Sequence, residues 1–207
     1  MMRLSVAPVI IAIMFTACTG SLLETKIPVP TVYVLAAAPA GASTTKAPSV
    51  DLAVSQPTTA PGLDTERIAV LRESRRLDYY REAQWGAALP QVAQSLVVGS
   101  LRNQNQFRSV TTEQARISSN YLLDLEVRDF QSEYASDSSA PTVRVTLIGA
   151  LIRIKDRKLI GVFPATATQT ASENSLSSVV AAFESAGQQA AVSLGKQTAD
   201  AIVANGN

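Results

Sequence analysis

The chain has 207 residues, 18 basic and 17 acidic, with no histidine and one cysteine, a length that holds one domain around a hydrophobic core. Near-neutral charge argues against nonspecific nucleic-acid binding. The missing histidine removes the commonest general base, the Ser/His and Cys/His nucleophile pairs and most zinc sites. The single cysteine, Cys18, precedes the folded part, so no internal disulfide or catalytic thiolate is expected.

At the amino terminus, Arg3 follows two methionines, and Leu4 to Phe15 is apolar apart from Ser5 and Pro8. A basic start, an apolar run and small residues before a cut site are the plan of an export leader. A run of about 12 residues is too short to cross a bilayer core, which needs about 20. Phe15-Thr16-Ala17-Cys18 resembles a bacterial lipobox, in which the chain is cut before the cysteine and the cysteine is acylated. Phe15 stands where an aliphatic residue is usual, and Thr19 in place of Asp is, by the same resemblance, an outer-membrane signal. Several acyl chains anchor stably where one is marginal, each buried methylene contributing about 0.8 kcal/mol. The other reading is an ordinary secretory leader with an incidental cysteine. The cut would remove Arg3 alone and leave 17 basic against 17 acidic side chains. Residues 1–17 are thus read as a lipoprotein signal peptide, 18–30 as a membrane tether and 31–207 as the domain, with Cys18 as the lipid-attachment residue.

Beyond the tether, Thr31 to Leu35 is a short β-rich run, and Ala36 to Pro48 is rich in Ala, Pro, Ser and Thr. The latter cannot bury enough apolar surface to hold a structure of its own and reads as a long loop. Val50 to Val54 alternates with period two, Gln56 to Gly62 is broken by Pro57 and Pro61, and Arg67 to Leu71 and Leu77 to Tyr80 read as strands around a polar turn, Arg72 to Arg76. From Leu89 the period changes, because Leu89, Val92, Ala93, Leu96, Val97 and Leu101 share one helix face. Pro90 is tolerated in the first turn. Arg108 to Val110 reads as a short strand, and Tyr121 to Phe130 sets Tyr121, Leu123, Leu125 and Val127 against Asp124, Glu126 and Arg128. Ser132 to Pro141 is polar enough for a loop, after which Thr142 to Ile154 and Leu159 to Thr168 form a hairpin through Lys155 to Lys158. Finally, Leu176, Val179, Val180, Phe183, Ala190, Ala191, Leu194 and Ile202 trace an apolar helix face over about 28 residues. Gly187 and Gly195 mark a break or a close packing contact, and the glutamines of the helices carry no assignable role. The expected class is α/β, a mixed sheet of six or seven strands with two main amphipathic helices packed on it.

Ala60-Pro61-Gly62-Leu63-Asp64-Thr65-Glu66-Arg67-Ile68-Ala69-Val70, then Leu77-Asp78-Tyr79-Tyr80, Gln84-Trp85 and Leu89-Pro90, stand in an order that resembles the ABC-type transport auxiliary lipoprotein family, to which the paraquat-inducible C lipoproteins belong. Asp129-Phe130-Gln131 and Val179-Val180-Ala181-Ala182-Phe183-Glu184 continue the resemblance, which spans about Tyr33 to Ala201. Gly86-Ala87-Ala88 lacks the acidic residue usual after the tryptophan. The resemblance implies a periplasm-facing, non-enzymatic component of a mammalian-cell-entry-type ABC lipid transport system. Such a component would dock on the substrate-binding protein that bridges the envelope, alongside a permease and an ATPase, without a cofactor. The chain itself has no Gly-rich phosphate loop ending in Lys-Ser/Thr. A homo-oligomer is compatible with this reading, though no residue pattern specifies one.

Four further residues are candidate partner or lipid contacts. Asp64 could cap a helical turn in a Pro-Gly contact loop. Tyr79, Tyr80 and Trp85 form an aromatic cluster in a chain only 5% aromatic. Neighbours on a strand face opposite ways, so one tyrosine is expected in the core and the other outside. Trp85 is either core or contact, with core the more common place for tryptophan. Two other functions stay open: a stand-alone lipid carrier with its own apolar groove, and a hydrolase using Asp124 and Glu126, disfavoured without histidine.

Overall fold

The computed structural model describes residues 29–41, 49–72, 75–135 and 139–205. The leader, Cys18 and nearly all of the tether lie outside them. The strands are β1 (Thr31–Tyr33), β2 (Asp51–Val54), β3 (Thr58–Thr59), β4 (Arg67–Arg72), β5 (Arg76–Trp85), β6 (Ser109–Thr112), β7 (Tyr121–Glu133), β8 (Thr142–Arg153) and β9 (Lys158–Thr170). Helix α1 spans Leu89–Asn103 and α2 spans Leu176–Asn205. The class is the mixed α/β sheet expected, with nine strands among the described residues rather than six or seven.

The organising strand is β7. One of its edges pairs antiparallel with β8 along its whole length, from Tyr121↔Arg153 to Glu133↔Thr142. Its other edge is shared by three parallel pieces in chain order: β2 beside Tyr121–Leu123, β3 beside Glu126–Val127 and β4 beside Gln131–Glu133. These pieces are one strand path interrupted twice, because Pro57 and Pro61 have no N–H to give a ladder. At the first interruption the Ser55 hydroxyl takes over, accepting the Leu125 N–H at 2.9 Å and donating to Asp124 at 3.0 Å. The sheet widens as β6 joins β2 in parallel, β5 joins β4 antiparallel, β1 joins β5 in parallel and β9 joins β8 antiparallel.

Alternation along β7 and β8 decides which face is covered. Leu123, Leu125, Val127 and Phe130 on β7, with Val143, Val145, Leu147 and Leu151 on β8, are 1% exposed or less, and α2 lies over them. The period slips once, at a bulge between Val127 and Asp129, so that Phe130 rather than Asp129 points inward. Gln131 repairs the bulge, its Oε1 accepting the Phe130 N–H at 2.8 Å. Helix α2 runs unbroken, and its glycines serve close packing: a Cβ on Gly187 would lie 2.6 Å from Leu96 Cδ2, and one on Gly195 2.3 Å from Leu101 Cδ2. The loop expected from Ser132 starts later, because β7 continues to Glu133 under the pairing of β8.

Ion pairs fasten the sheet ends. Arg153 grips Asp156 at 2.8 Å in the β8–β9 turn, where Arg157 takes φ +55° in place of a glycine. Asp51 accepts from the Arg108 guanidinium and from the Ser109 hydroxyl, joining β2 to β6. The hydrogen bond from Arg108, then that from Ser109, hold the Asp51 carboxyl down at about 2. A carboxyl depressed on folding contributes stability that is present above its ordinary value near 4 and is lost as pH falls through its folded value. Asp51→Asn is therefore expected to lower the urea midpoint at pH 7, with the gap to the parent chain narrowing below about pH 4. A gap of the same size at pH 2 would rule out this ion pair as its cause.

Candidate functional site

Residues far apart in sequence meet around the second interruption of the β2–β3–β4 path. Between Ala60 and Glu66 the chain leaves β7, turns at Pro61-Gly62, where Gly62 has φ +86°, and buries Leu63 to 4% exposure. It is held at its start by Ala60 N–H donating to Val127 O at 3.0 Å, and clamped at its far end by two bonds: Trp85 N–H donates to Glu66 O at 2.7 Å, and Leu89 N–H donates to Thr65 O at 3.0 Å. The second bond matters to α1, because Ala88 at its start has no side-chain cap and Pro90 has no N–H. On the outer side, the Tyr79 hydroxyl donates to Gly62 O at 2.8 Å, and the Arg67 guanidinium lies 3.9 Å over the Tyr79 ring. Asp64 stands exposed on this loop, and no helical turn follows it, so the expected cap is corrected: residues 61–66 form a turn and bends.

The aromatic cluster divides. Tyr79 and Tyr80 are each half-buried on opposite faces of β5. Tyr79 faces the loop, whereas the Tyr80 hydroxyl shares hydrogen bonds with Ser132 at 3.2 Å and Tyr134 at 3.0 Å. Burial, the largest influence, pushes the Tyr80 hydroxyl well above its ordinary value. Trp85 is 1% exposed and has no surface to offer a partner. Its ring meets Phe130 edge-on at 5.9 Å and Phe183 edge-on at 5.2 Å, while Phe130 and Phe183 stack at 5.2 Å. This trio ties β5, β7 and α2 together, and two of its members carry the Asp129-Phe130-Gln131 and Phe183-Glu184 motifs. Of the four contact candidates, Asp64 and Tyr79 share one surface, Tyr80 sits in an adjoining polar network, and Trp85 belongs to the core.

A second element has no signature in the sequence. After β1, residues 34–39 lie as a strap across the two helices, with Ala38 buried, Leu35 half-buried against the core and the backbone held by helix side chains. Ala36 N–H donates to Glu184 Oε2 at 2.7 Å, and Gln188 Nε2 donates to the carbonyls of Ala36 at 3.0 Å and Ala37 at 3.3 Å. From α1, Ser100 Oγ accepts the Ala38 N–H at 2.9 Å, while Asn103 and Gln104 donate to Ala38 O and Pro39 O at 2.8 and 2.7 Å. Gly99 admits the strap, since a Cβ there would lie 2.7 Å from Ala37 Cβ. Glutamines with no legible task thus position the chain that leads back toward the tether.

The paired carboxylates of the hydrolase reading are otherwise engaged: Asp124 accepts from Ser55, and Glu126 pairs with Arg128 at 3.3 Å. Among the described residues, no three His, Cys, Asp or Glu side chains gather as a metal site, and no helix is long and apolar enough to cross a membrane.

The sequence pattern of the ABC-type transport auxiliary lipoprotein component matches residues 33–195, from β1 to the later turns of α2. The chain belongs to this family. Among solved structures, a DUF330-family protein from Xanthomonas campestris superposes with a TM-score of 0.77 at 24% identity, covering 85% of this chain and 98% of its own. A second, described only as an uncharacterized protein, gives 0.64 at 14% identity over 82% of this chain and 98% of its own. At these identities both likenesses speak to the fold. No curated protein matches the sequence. Family membership makes the chain a transport auxiliary lipoprotein, a family defined by transport rather than by enzymatic activity.

The trio and the Tyr79 bond separate in energy. Trp85→Ala is expected to lower unfolding free energy by about 3–5 kcal/mol through lost burial and a cavity. Tyr79→Phe, which removes one hydrogen bond to an exposed loop, should cost only about 0.5–1.5 kcal/mol. Urea titrations giving equal losses would contradict this division of core from surface.

Proposed function

We propose that the chain is the lipid-anchored, periplasm-facing auxiliary component of a mammalian-cell-entry-type ABC lipid transport system, docking on the substrate-binding protein that bridges the envelope. Cys18, acylated after cleavage of residues 1–17, fastens it to the outer membrane, and Glu24 to Pro30 spaces the domain from the bilayer. The family match across residues 33–195 carries this reading. Asp64 and the Tyr79 surface supply the contact. Asp64 stands on a clamped loop that faces outward, Tyr79 lies beside it on β5, and a preformed surface binds with little ordering cost.

The stand-alone carrier would need an apolar chamber. Instead, the space between sheet and helices is filled by Trp85, Phe130, Phe183, Leu101, Leu123 and Leu194, all 1% exposed or less. The groove beside the β4–β5 hairpin is open and lined largely by charged and polar groups, and that beside Val50, Tyr121 and Ile154, though more apolar, is open as well.

Affinity-tagged full chain is expected to copurify with the mammalian-cell-entry-type protein of the same cell. Asp64→Lys combined with Tyr79→Ala should lower recovery about tenfold, the effect of about 1.4 kcal/mol. Full recovery with that variant would remove the loop from the interface, and no copurification with the parent chain would remove the docking reading. Palmitate label should be absent from Cys18→Ala; label that persists there would sink the anchor assignment.

A further inference from the structure

Both helices lie on one face of the sheet, since α2 covers β7, β8 and β9, and α1 packs on α2 and shares its core. No helix among the described residues covers the other face. Where β8 turns into β9, cross-strand pairing on that face aligns Leu122, Ile152 and Leu159 in one row and sets Ala150 beside Val162 in the next. Leu159 is 54% exposed, Val162 53% and Ile154, at the start of the turn, 43%. One hairpin thus leaves three large aliphatic side chains in water. Asp124, paired with Ala150, bounds the patch on the β7 side.

The same turn concentrates positive charge. It sets Arg153, Lys155, Arg157 and Lys158 against Asp156 alone, in a chain with 18 basic and 17 acidic residues. That one acid is already engaged: it pairs with Arg153 at 2.8 Å and accepts the Lys158 N–H at 3.4 Å. Lys155, Arg157 and Lys158 are exposed, and among the described residues no carboxylate pairs with their side chains. Cations on an edge strand can serve only to keep other strands from pairing with it. That role does not require Leu159 and Val162 to stand in water beside them. Aliphatic side chains flanked by lysines are the pattern of a surface that enters a bilayer interface, with the ammonium groups at headgroup level.

We propose that the β8–β9 turn docks on a membrane surface rich in anionic headgroups. Ile154, Leu159 and Val162 enter the boundary between headgroups and acyl chains, while Lys155, Arg157 and Lys158 pair with headgroup phosphates. An acidic protein surface would meet the same charge. However, none of the three cations is held in one position by a partner, which suits a fluid array of headgroups rather than carboxylates at fixed places. The contact adds to the tether and does not rest on acylation of Cys18. Residues 19–30 reach about 40 Å when extended, about the length of β8, so a chain held at Cys18 can set this turn on the same bilayer.

The full chain carrying Cys18→Ala, which has no thiol to acylate, tests this with vesicles of phosphatidylcholine alone or mixed with phosphatidylglycerol in equal parts, the bound share being read by flotation. Residues 1–17 are present throughout, so differences between lipid mixtures and between variants report the hairpin. The anionic vesicles should bind tighter. Lys155→Gln with Lys158→Gln should lower partitioning onto them about twentyfold, since each cation near an anionic surface contributes about fivefold. Leu159→Thr with Val162→Thr, which keeps residues suited to a strand, should lower it several-fold. All four positions are exposed, so these substitutions leave the core intact. Equal partitioning onto both kinds of vesicle, or partitioning indifferent to either pair of substitutions, would overturn the proposal, and that is the outcome if the turn serves a protein partner instead.

Discussion

A β-strand has two hydrogen-bonding edges, and β7 spends them differently. One goes to a single continuous partner, β8, and the other to a path that departs at Ser55 and again after Ala60. A continuous partner sets register over the full length, so β7 and β8 present one aligned apolar face for α2. The broken side gains freedom, because a path relieved of pairing can loop outward. The second departure produces the 60–66 loop, which places Asp64 outside, Leu63 inside and Gly62 O within reach of Tyr79. The site is a consequence of where proline forbids a ladder.

That loop would be floppy were it not tied to the most rigid part of the molecule. Its carbonyls at Thr65 and Glu66 accept from Leu89 and Trp85, so the start of α1 and the end of β5 are fixed to it. Trp85 is in turn immobilised by Phe130 and Phe183. The chain leading back toward Cys18 enters at the same corner, with Tyr33 paired to Trp85 and the strap bound to both helices. The start of β1, the loop and the aromatic trio thus share a corner, and a pull on the chain before β1 would be borne by strand pairing and helix side chains rather than by a loose loop.

Much of this was legible in the residues. Period-two and period-3.6 patterns located both helices and all of the longer strands, because those elements bury one face and leave the other in solvent. The rest lacks such a signal. The two residues of β3 are too few to show a period, and the bulge that turns Phe130 inward depends on Gln131, which alternation alone would place on the same face as Val127. Residues 34–39 bury only Ala38 and part of Leu35, too little to show a period, and their backbone order comes from Ser100, Asn103, Gln104, Glu184 and Gln188 across long sequence distances. Trp85 was ambiguous for a related reason: a lone tryptophan on a strand end suits core or surface, and only its neighbours in space decide.

The burial of Trp85 bears on what the family pattern encodes. Leu63, Trp85, Phe130 and Phe183 are all buried, and Gly62, Thr65 and Glu184 hold backbone in place. These motif residues therefore specify the corner's geometry. Residues that specify geometry cannot also choose a partner, since buried side chains present nothing to it. The side chains left exposed on this frame include Asp64, beside Tyr79, and arginines of the β4–β5 hairpin. Exposed charged side chains such as Asp64 carry little of the packing, so charge there can vary without changing the fold.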